Sequence, residues 1–399
     1  MTCSELSSLI LQNSDSIAFL VGNGIHLYEQ KEKNIDGKFD WNELIIKVRQ
    51  ELLPYNSERI SYRRMSLPEK FDVIVHESLA SKTNLRFSNA EQDLFPQIES
   101  LATNTISEYP NYDKFLGQRP YGDRPNHIVL NSLVNNDRLQ QAKKDLLQSI
   151  ENILKSIGLK LNPNSLDVQN IALHIALGDK PVDYVAKLII KSLFEHYSLK
   201  EWIFPFIQVA YKLKAPILTT NYDTSLSKLV HLSPRIAVDA NNKIQEGFPF
   251  ETYFAKSPIN HPWDSFAIWH IHGLYNYVNS IRIGRIDYEN LQREIQARLN
   301  MTQNPVIDSH WDSNNSWLSI LFHKNLFIVG LGLEKDEEVL WWLFKERNKY
   351  NLKGWYVYID KENVVGTKAK KLRDVGLEII RADKVDLYEN VWKQIISKI

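Results

Sequence analysis

Short apolar runs that stop at glycine alternate along this chain with segments whose apolar residues recur every three to four positions. Residues 16–21, Ser-Ile-Ala-Phe-Leu-Val, are almost continuously apolar and end at Gly22, the pattern of a parallel strand buried on both faces. After Asp40, a residue type that caps helices, positions 41–48 repeat their apolar residues at helical spacing. The predicted opening is therefore strand, glycine loop, helix. Strand character returns at residues 215–220, 266–271, 326–329 and 355–359, with helical patterns at 336–350 and 367–375.

Residues 68–213 show mostly helical periods, for example at 139–157 and 182–197, around a polar, proline-containing loop at 119–127. No convincing strand occurs there. Strands alternating with helices on either side of this stretch predict an α/β fold, a Rossmann-like, doubly wound, mostly parallel sheet. On this reading residues 1–60 and 214–399 form the sheet domain, and 61–213 are a large helical insertion.

Composition narrows the function classes. Forty-eight basic residues balance 48 acidic ones, so no net field attracts a nucleic-acid backbone or an anionic membrane, and neither is an expected partner. Cys3 is the only cysteine, which excludes an intrachain disulfide and a cysteine-rich zinc site and fits a reducing cytoplasm. The run at 17–21 is far too short to span a bilayer, and residues 1–8 lack the basic start of a secretion signal. A soluble, cytoplasmic protein is expected.

Four segments carry candidate chemistry. In Gly22-Asn23-Gly24, two glycines at a strand end allow close backbone approach to a diphosphate, although taken alone they are better explained by a tight turn and the third glycine of the full fingerprint is absent. Thr220-Asn221-Tyr222-Asp223 sits where open parallel sheets place ligand contacts; the Asn221 carboxamide can hold a ribose hydroxyl or a water, while Asp223 also reads as a helix cap. In His270-Ile271-His272-Gly273, strand alternation would send both imidazoles to one face. Without a recognisable third ligand this favours proton transfer by His272, beside a glycine that lets substrate come close, over a metal site. The last segment runs from a strand into Gly330-Leu331-Gly332 and then Glu334, Lys335 and Asp336, and it is suited to cradle the second half of a dinucleotide. Trp341, Trp342 and Phe344 beyond it read as packing residues of an amphipathic helix.

Taken in order, these four segments resemble the sirtuin superfamily. The nearer likeness is to the sirtuin-like NAD-hydrolase domains of bacterial antiphage defence systems, which carry Thr-Asn-Tyr-Asp at the second segment; Asp287-Tyr288 also looks like that group. The resemblance covers roughly residues 15–50 and 215–360. It implies NAD as substrate, Asn221 and His272 as the catalytic pair, and Gly22, Asn23, Gly24, Thr220, Asp223, Gly273, Gly330 and Gly332 around the nucleotide, with no metal. Two departures stand out: Asn23 replaces a common alanine, and the four-cysteine zinc ribbon of the deacylases is missing, which counts against deacylation.

The expected activity is hydrolysis of NAD to nicotinamide and ADP-ribose by a triggered effector. Asn221 would position the ribose and a water, and neutral His272 would accept a proton. Unchecked NAD loss would poison the host, so a homo-oligomer or a regulatory, nucleotide-sensing partner is expected to hold the activity in check. The competing readings are a deacylase or ADP-ribosyltransferase using the same pocket, and a regulatory subunit that binds a nucleotide without turning it over.

Overall fold

Strand β1 (Ile17–Val21) is buried at every position, and its side chains divide between two helical layers. Phe19 meets Phe206, Phe327 and Trp392 edge-on at 5.1, 6.1 and 5.7 Å between ring centres. Ala18 and Leu20 point into the opposite core, with Leu318, Leu321, Leu343 and Phe344. A strand apolar on both faces belongs in the middle of a sheet, because only there do helices cover both sides. That is where β1 lies.

In the computed structural model the described residues are 1–26, 28, 41–52, 65–83, 186–187, 190–191, 194, 203–237, 244, 247–333, 337–359 and 366–399. The predicted helix at 139–157, the loop at 119–127 and the triplet Glu334, Lys335 and Asp336 lie outside them. The chain divides into two compact units. One comprises Met1–Trp41, Ser66–Pro68 and Tyr197–Ile399; the other comprises Asn42–Met65 and Glu69–His196.

The first unit holds one eight-stranded sheet: β1, β2 (Ile217–Thr219), β3 (Ser233–Ile236), β4 (Thr252–Ala255), β5 (Ile268–His270), β6 (Asn325–Val329), β7 (Gly354–Ile359) and β8 (Leu377–Ala382). Across the sheet the order is β3-β4-β5-β2-β1-β6-β7-β8. The stretch from β5 to β8 is parallel, whereas β3 and β4 extend it antiparallel at one edge. Numbering only the parallel strands along the chain, their order is 3-2-1-4-5-6, that of Rossmann dinucleotide-binding sheets. The fold is thus α/β and Rossmann-like, with its topological switch point between β1 and β6.

Ten helices are used below, numbered along the chain. α1 (Cys3–Gln12) is closed at its start by a Thr2–Glu5 capping box. α2 (Trp41–Leu52) and α3 (Leu67–Thr83) lie largely in the second unit, so the helix expected to follow the first glycine loop is formed but lies largely outside the sheet unit. Within that unit a helical turn opens directly at Gly24 instead. α4 (Phe204–Lys212) and the carboxyl-terminal α10 (Val391–Ile396) pack together and with α1 on one side of the sheet. After the short α5 (Ser225–Leu229), helices α6 (Arg285–Asn300), α7 (Trp317–His323) and α8 (Glu338–Asn348) supply residues of the opposite core, and α9 (Thr367–Asp374) adjoins β8.

Candidate functional site

Open parallel sheets bind ligands outside the carboxyl ends of their strands, at the switch point. Here the two corners flanking that point touch each other. Gly22 N–H donates to the Val329 carbonyl at 3.0 Å and Gly24 N–H to the Gly330 carbonyl at 2.6 Å. A Cβ on Gly24 would lie 2.6 Å from Gly330 Cα, and one on Gly22 would lie 2.6 Å from Leu331 Cα. Gly330 has φ +64, in the left-handed region that favours glycine. The glycines are therefore demanded by the packing of one corner on the other, and the Gly24 amide is already spent within the chain. Gly332 is exposed, and its carbonyl accepts from Lys368.

The second segment is pinned to the first. Thr220 N–H donates to the Val21 carbonyl at 3.1 Å, at the end of β1. Asn221 N–H donates to Thr219 Oγ1 at 3.1 Å, its side-chain Nδ2 donates to the Gly22 carbonyl at 3.2 Å, and its carbonyl faces His270 Nδ1 at 2.9 Å. Only Oδ1 remains. It is buried and, among the described residues, makes no hydrogen bond.

A carbonyl can only accept, so His270 carries its ring proton on Nδ1. Burial lowers its pKa, against the opposing pull of that hydrogen bond and of Asp223. It is thus a neutral imidazole that positions Asn221.

Asp223 has both carboxylate oxygens occupied. Oδ1 accepts from Ser225 N–H at 2.8 Å, a cap-like bond at the start of α5, and Oδ2 lies 2.8 Å from His26 Nε2. Burial raises the Asp223 pKa, but the His26 imidazole and Ser225 outweigh it and hold the carboxyl well below the ordinary range. This buried pair ties the helical turn after β1 to the segment after β2. Nothing in the sequence spacing pointed to His26. Asn23, like His26, is buried in the same corner.

His272 lies beyond the end of β5, so strand alternation does not carry it to the face of His270. The backbone turns at Gly273, φ +90, where a Cβ would fall 2.0 Å from the Ser280 carbonyl oxygen. The close approach at this glycine is made by the chain itself. Arg282 N–H donates to the His272 carbonyl at 2.9 Å, and the Arg282 carbonyl accepts from the Tyr222 hydroxyl. Tyr222 in turn hydrogen-bonds Tyr288, whose oxygen is 3.4 Å from His272 Nδ1. Because the run ends on a carbonyl, its donors point one way: Nδ1–H to Tyr288, Tyr288 to Tyr222, Tyr222 to Arg282. The tautomer of His272 is thereby set, with the lone pair on Nε2.

Burial pushes the His272 pKa down to about 3, so the ring is neutral at pH 7. Among the described residues Nε2 makes no hydrogen bond, and Glu337 Oε2 lies 3.8 Å from it. Tyr288 is placed by α6, whose start is capped by Asp287 Oδ2 accepting from the Ile283 and Gly284 N–H groups, each at 3.2 Å. Tyr222 is held well above its ordinary pKa, first by burial and then by the acidic Asp287 and Glu337.

Among the described residues no three His, Cys, Asp or Glu side chains gather as a metal site, and no helix is long and apolar enough to cross a membrane. A cavity of about 1090 Å³ lies elsewhere, bordered by Arg298, Trp263, Trp311 and His323. It touches neither Asn221 nor His272. The strand ends are the better candidate, because they combine the switch point with two buried acceptors, Asn221 Oδ1 and His272 Nε2, that make no hydrogen bond among the described residues.

Compared with known protein families and with curated proteins, the chain matches none.

Proposed function

We propose that this chain is an NAD glycohydrolase, cleaving the bond between nicotinamide and ribose to give nicotinamide and ADP-ribose. The observation that carries this reading is Asn221. Beside the switch point of a 3-2-1-4-5-6 sheet, and bonded to the Gly22 corner that flanks it, its N–H, carbonyl and amide nitrogen are each engaged within the chain, and Oδ1 is buried without a donor among the described residues. A buried acceptor without a partner costs on the order of 1–3 kcal/mol, and a ligand hydroxyl relieves it. A ribose offers such hydroxyls. His272 Nε2, a second acceptor on the neighbouring strand end with no hydrogen bond among the described residues, accepts a proton as the reaction proceeds.

The chemistry asks little of the protein beyond placement. As the glycosidic bond lengthens, positive charge develops at the ribose carbon, and a fixed amide oxygen and a neutral imidazole orient the ring and the incoming nucleophile. The support comes from the Asn221 and His272 geometry and from the strand order, not from the glycine amides, since Gly24 N–H is engaged by Gly330.

Asn221 and His272 are 3% and 2% exposed. Substrate must therefore part the strand-end loops before it reaches them. That requirement fits an effector kept quiet until a trigger arrives, as in antiphage defence, with a second copy or a sensing partner supplying the trigger. The test is chromatography of NAD incubated with the purified chain, with and without extract of infected cells. Equal amounts of nicotinamide and ADP-ribose are expected; a protein-linked ADP-ribose or an acetylated nucleotide product would instead favour transfer or deacylation.

A further inference from the structure

Tyr288 is bonded to both strand-end segments. Its ring meets the His272 imidazole edge-on, at 5.2 Å and 87°, and its oxygen lies 3.4 Å from Nδ1. Its hydroxyl is also bonded to Tyr222, the residue after Asn221. Tyr222 is fixed at two points: its carbonyl accepts from Tyr275 N–H at 2.9 Å, and its hydroxyl donates to the Arg282 carbonyl. The one hydroxyl hydrogen of Tyr222 is thereby spent, so Tyr288 must donate to Tyr222 and has only a lone pair to offer Nδ1. Burial, with the Asp287 and Glu337 carboxylates adding to it, keeps Tyr222 protonated well past neutral pH, so this order does not reverse.

We propose that Tyr288 is a positioning residue for His272, holding the ring proton on Nδ1 so that Nε2 keeps the lone pair the reaction uses. The inference rests on the NAD-hydrolase reading and says what prepares the base of that site. The attacking water's oxygen bonds to the anomeric carbon of the ribose while the bond from that carbon to the nicotinamide nitrogen breaks, its electron pair leaving with nicotinamide. The water's proton goes to Nε2 and later to solvent, so that NAD and water give ADP-ribose, nicotinamide and a proton. The tyrosines do not carry that proton away, because each hydroxyl already donates along the run, which ends on a carbonyl.

The same contact acts again as the proton arrives. Nδ1–H then belongs to a cation, and a hydrogen bond from a charged donor is shorter and roughly twice as strong as a neutral one. Burial opposes charge on this ring. The Tyr288 oxygen thus stabilises the imidazolium more than the imidazole, and that difference lowers the barrier. Tyr288 meets the nitrogen remote from the reaction, so its effect falls on kcat.

The test is nitrogen NMR of the full chain carrying isotope-labelled histidine, with His272→Gln assigning the signal, beside NAD turnover under conditions where the wild type releases nicotinamide. The wild type should show His272 protonated on Nδ1. Tyr288→Phe keeps the ring against the imidazole and removes the hydroxyl. With that acceptor gone from Nδ1 and a carboxylate oxygen 3.8 Å from Nε2, the ring proton should move largely to Nε2. In the same variant kcat should fall about tenfold or more, with KM for NAD within about threefold. A tyrosine that serves only packing would leave the tautomer in place. A wild type protonated on Nε2, a Tyr288→Phe still protonated on Nδ1, or a kcat loss smaller than about tenfold overturns the positioning role and leaves the glycohydrolase reading standing. A wild type that releases no nicotinamide under any trigger overturns both.

Discussion

His272 allows a test that needs no substrate. Its folded-state pKa is pushed from 6.5 down to about 3 by burial. The unfolded chain therefore takes up a proton first as the pH falls, and stability from this residue is present above about pH 6.5 and is lost progressively down to about pH 3. The slope across that window is about 1.4 kcal/mol per pH unit, so between about pH 7.5 and pH 4.5 the loss comes to roughly 3 kcal/mol. Asp223 acts in the same direction, but its window opens only below the ordinary carboxylate pKa of about 3.9, outside this range. His270 is lowered too, and it titrates in wild type and variant alike. Urea unfolding of wild type and His272→Gln at several pH values in this range isolates the one residue. The variant's stability should fall less steeply, by roughly 3 kcal/mol over the interval. Parallel curves would mean that His272 is not a buried neutral imidazole, and the tautomer argument built on it would fail.

Two further substitutions probe the frame of the site. Gly24→Ala places a Cβ against Gly330 backbone atoms at 2.6 and 2.8 Å, and backbone yields at a cost of about 1–3 kcal/mol or more, measurable as a lowered urea midpoint; an unchanged midpoint would show that the corners do not press together. Asp223→Asn removes the charge that His26 answers at 2.8 Å, and should cost about 3 kcal/mol near neutral pH, with a loss below about 1 kcal/mol counting against a structural role for the pair.

The sheet was legible where strands are buried on both faces. β1, β2, β5, β6 and β7 each present a run of apolar residues ending near glycine or at a polar cluster, and each forms within a few residues of its expected limits. β8 escaped notice because exposed Glu378 and Arg381, on opposite faces of the strand, break its apolar run, which an edge strand allows. β3 contains Pro234, which an edge tolerates and an interior strand does not. α6 was not read because its stripe of Tyr288, Leu291, Ile295 and Leu299 is narrow and set among charged residues, with only Leu291 and Ile295 fully buried.

The site divides in the same way. Asn221 and His272 stood out because strand ends in a parallel sheet focus attention on few polar residues. The expected common face for His270 and His272 failed because β5 ends at His270 and the chain turns at Gly273. His26 and Glu337 were invisible for a different reason. Each meets its partner across a long sequence separation, and a histidine in a helical turn or a glutamate at a helix start has ordinary local explanations.

The most direct check on the central claim is the rate of nicotinamide release from NAD by the triggered wild type beside Asn221→Ala. If the buried carboxamide oxygen holds the ribose or its nucleophile, the variant should fold normally and turn over about two to four decades more slowly. A folded Asn221→Ala that matches the wild-type rate would contradict the account at its root.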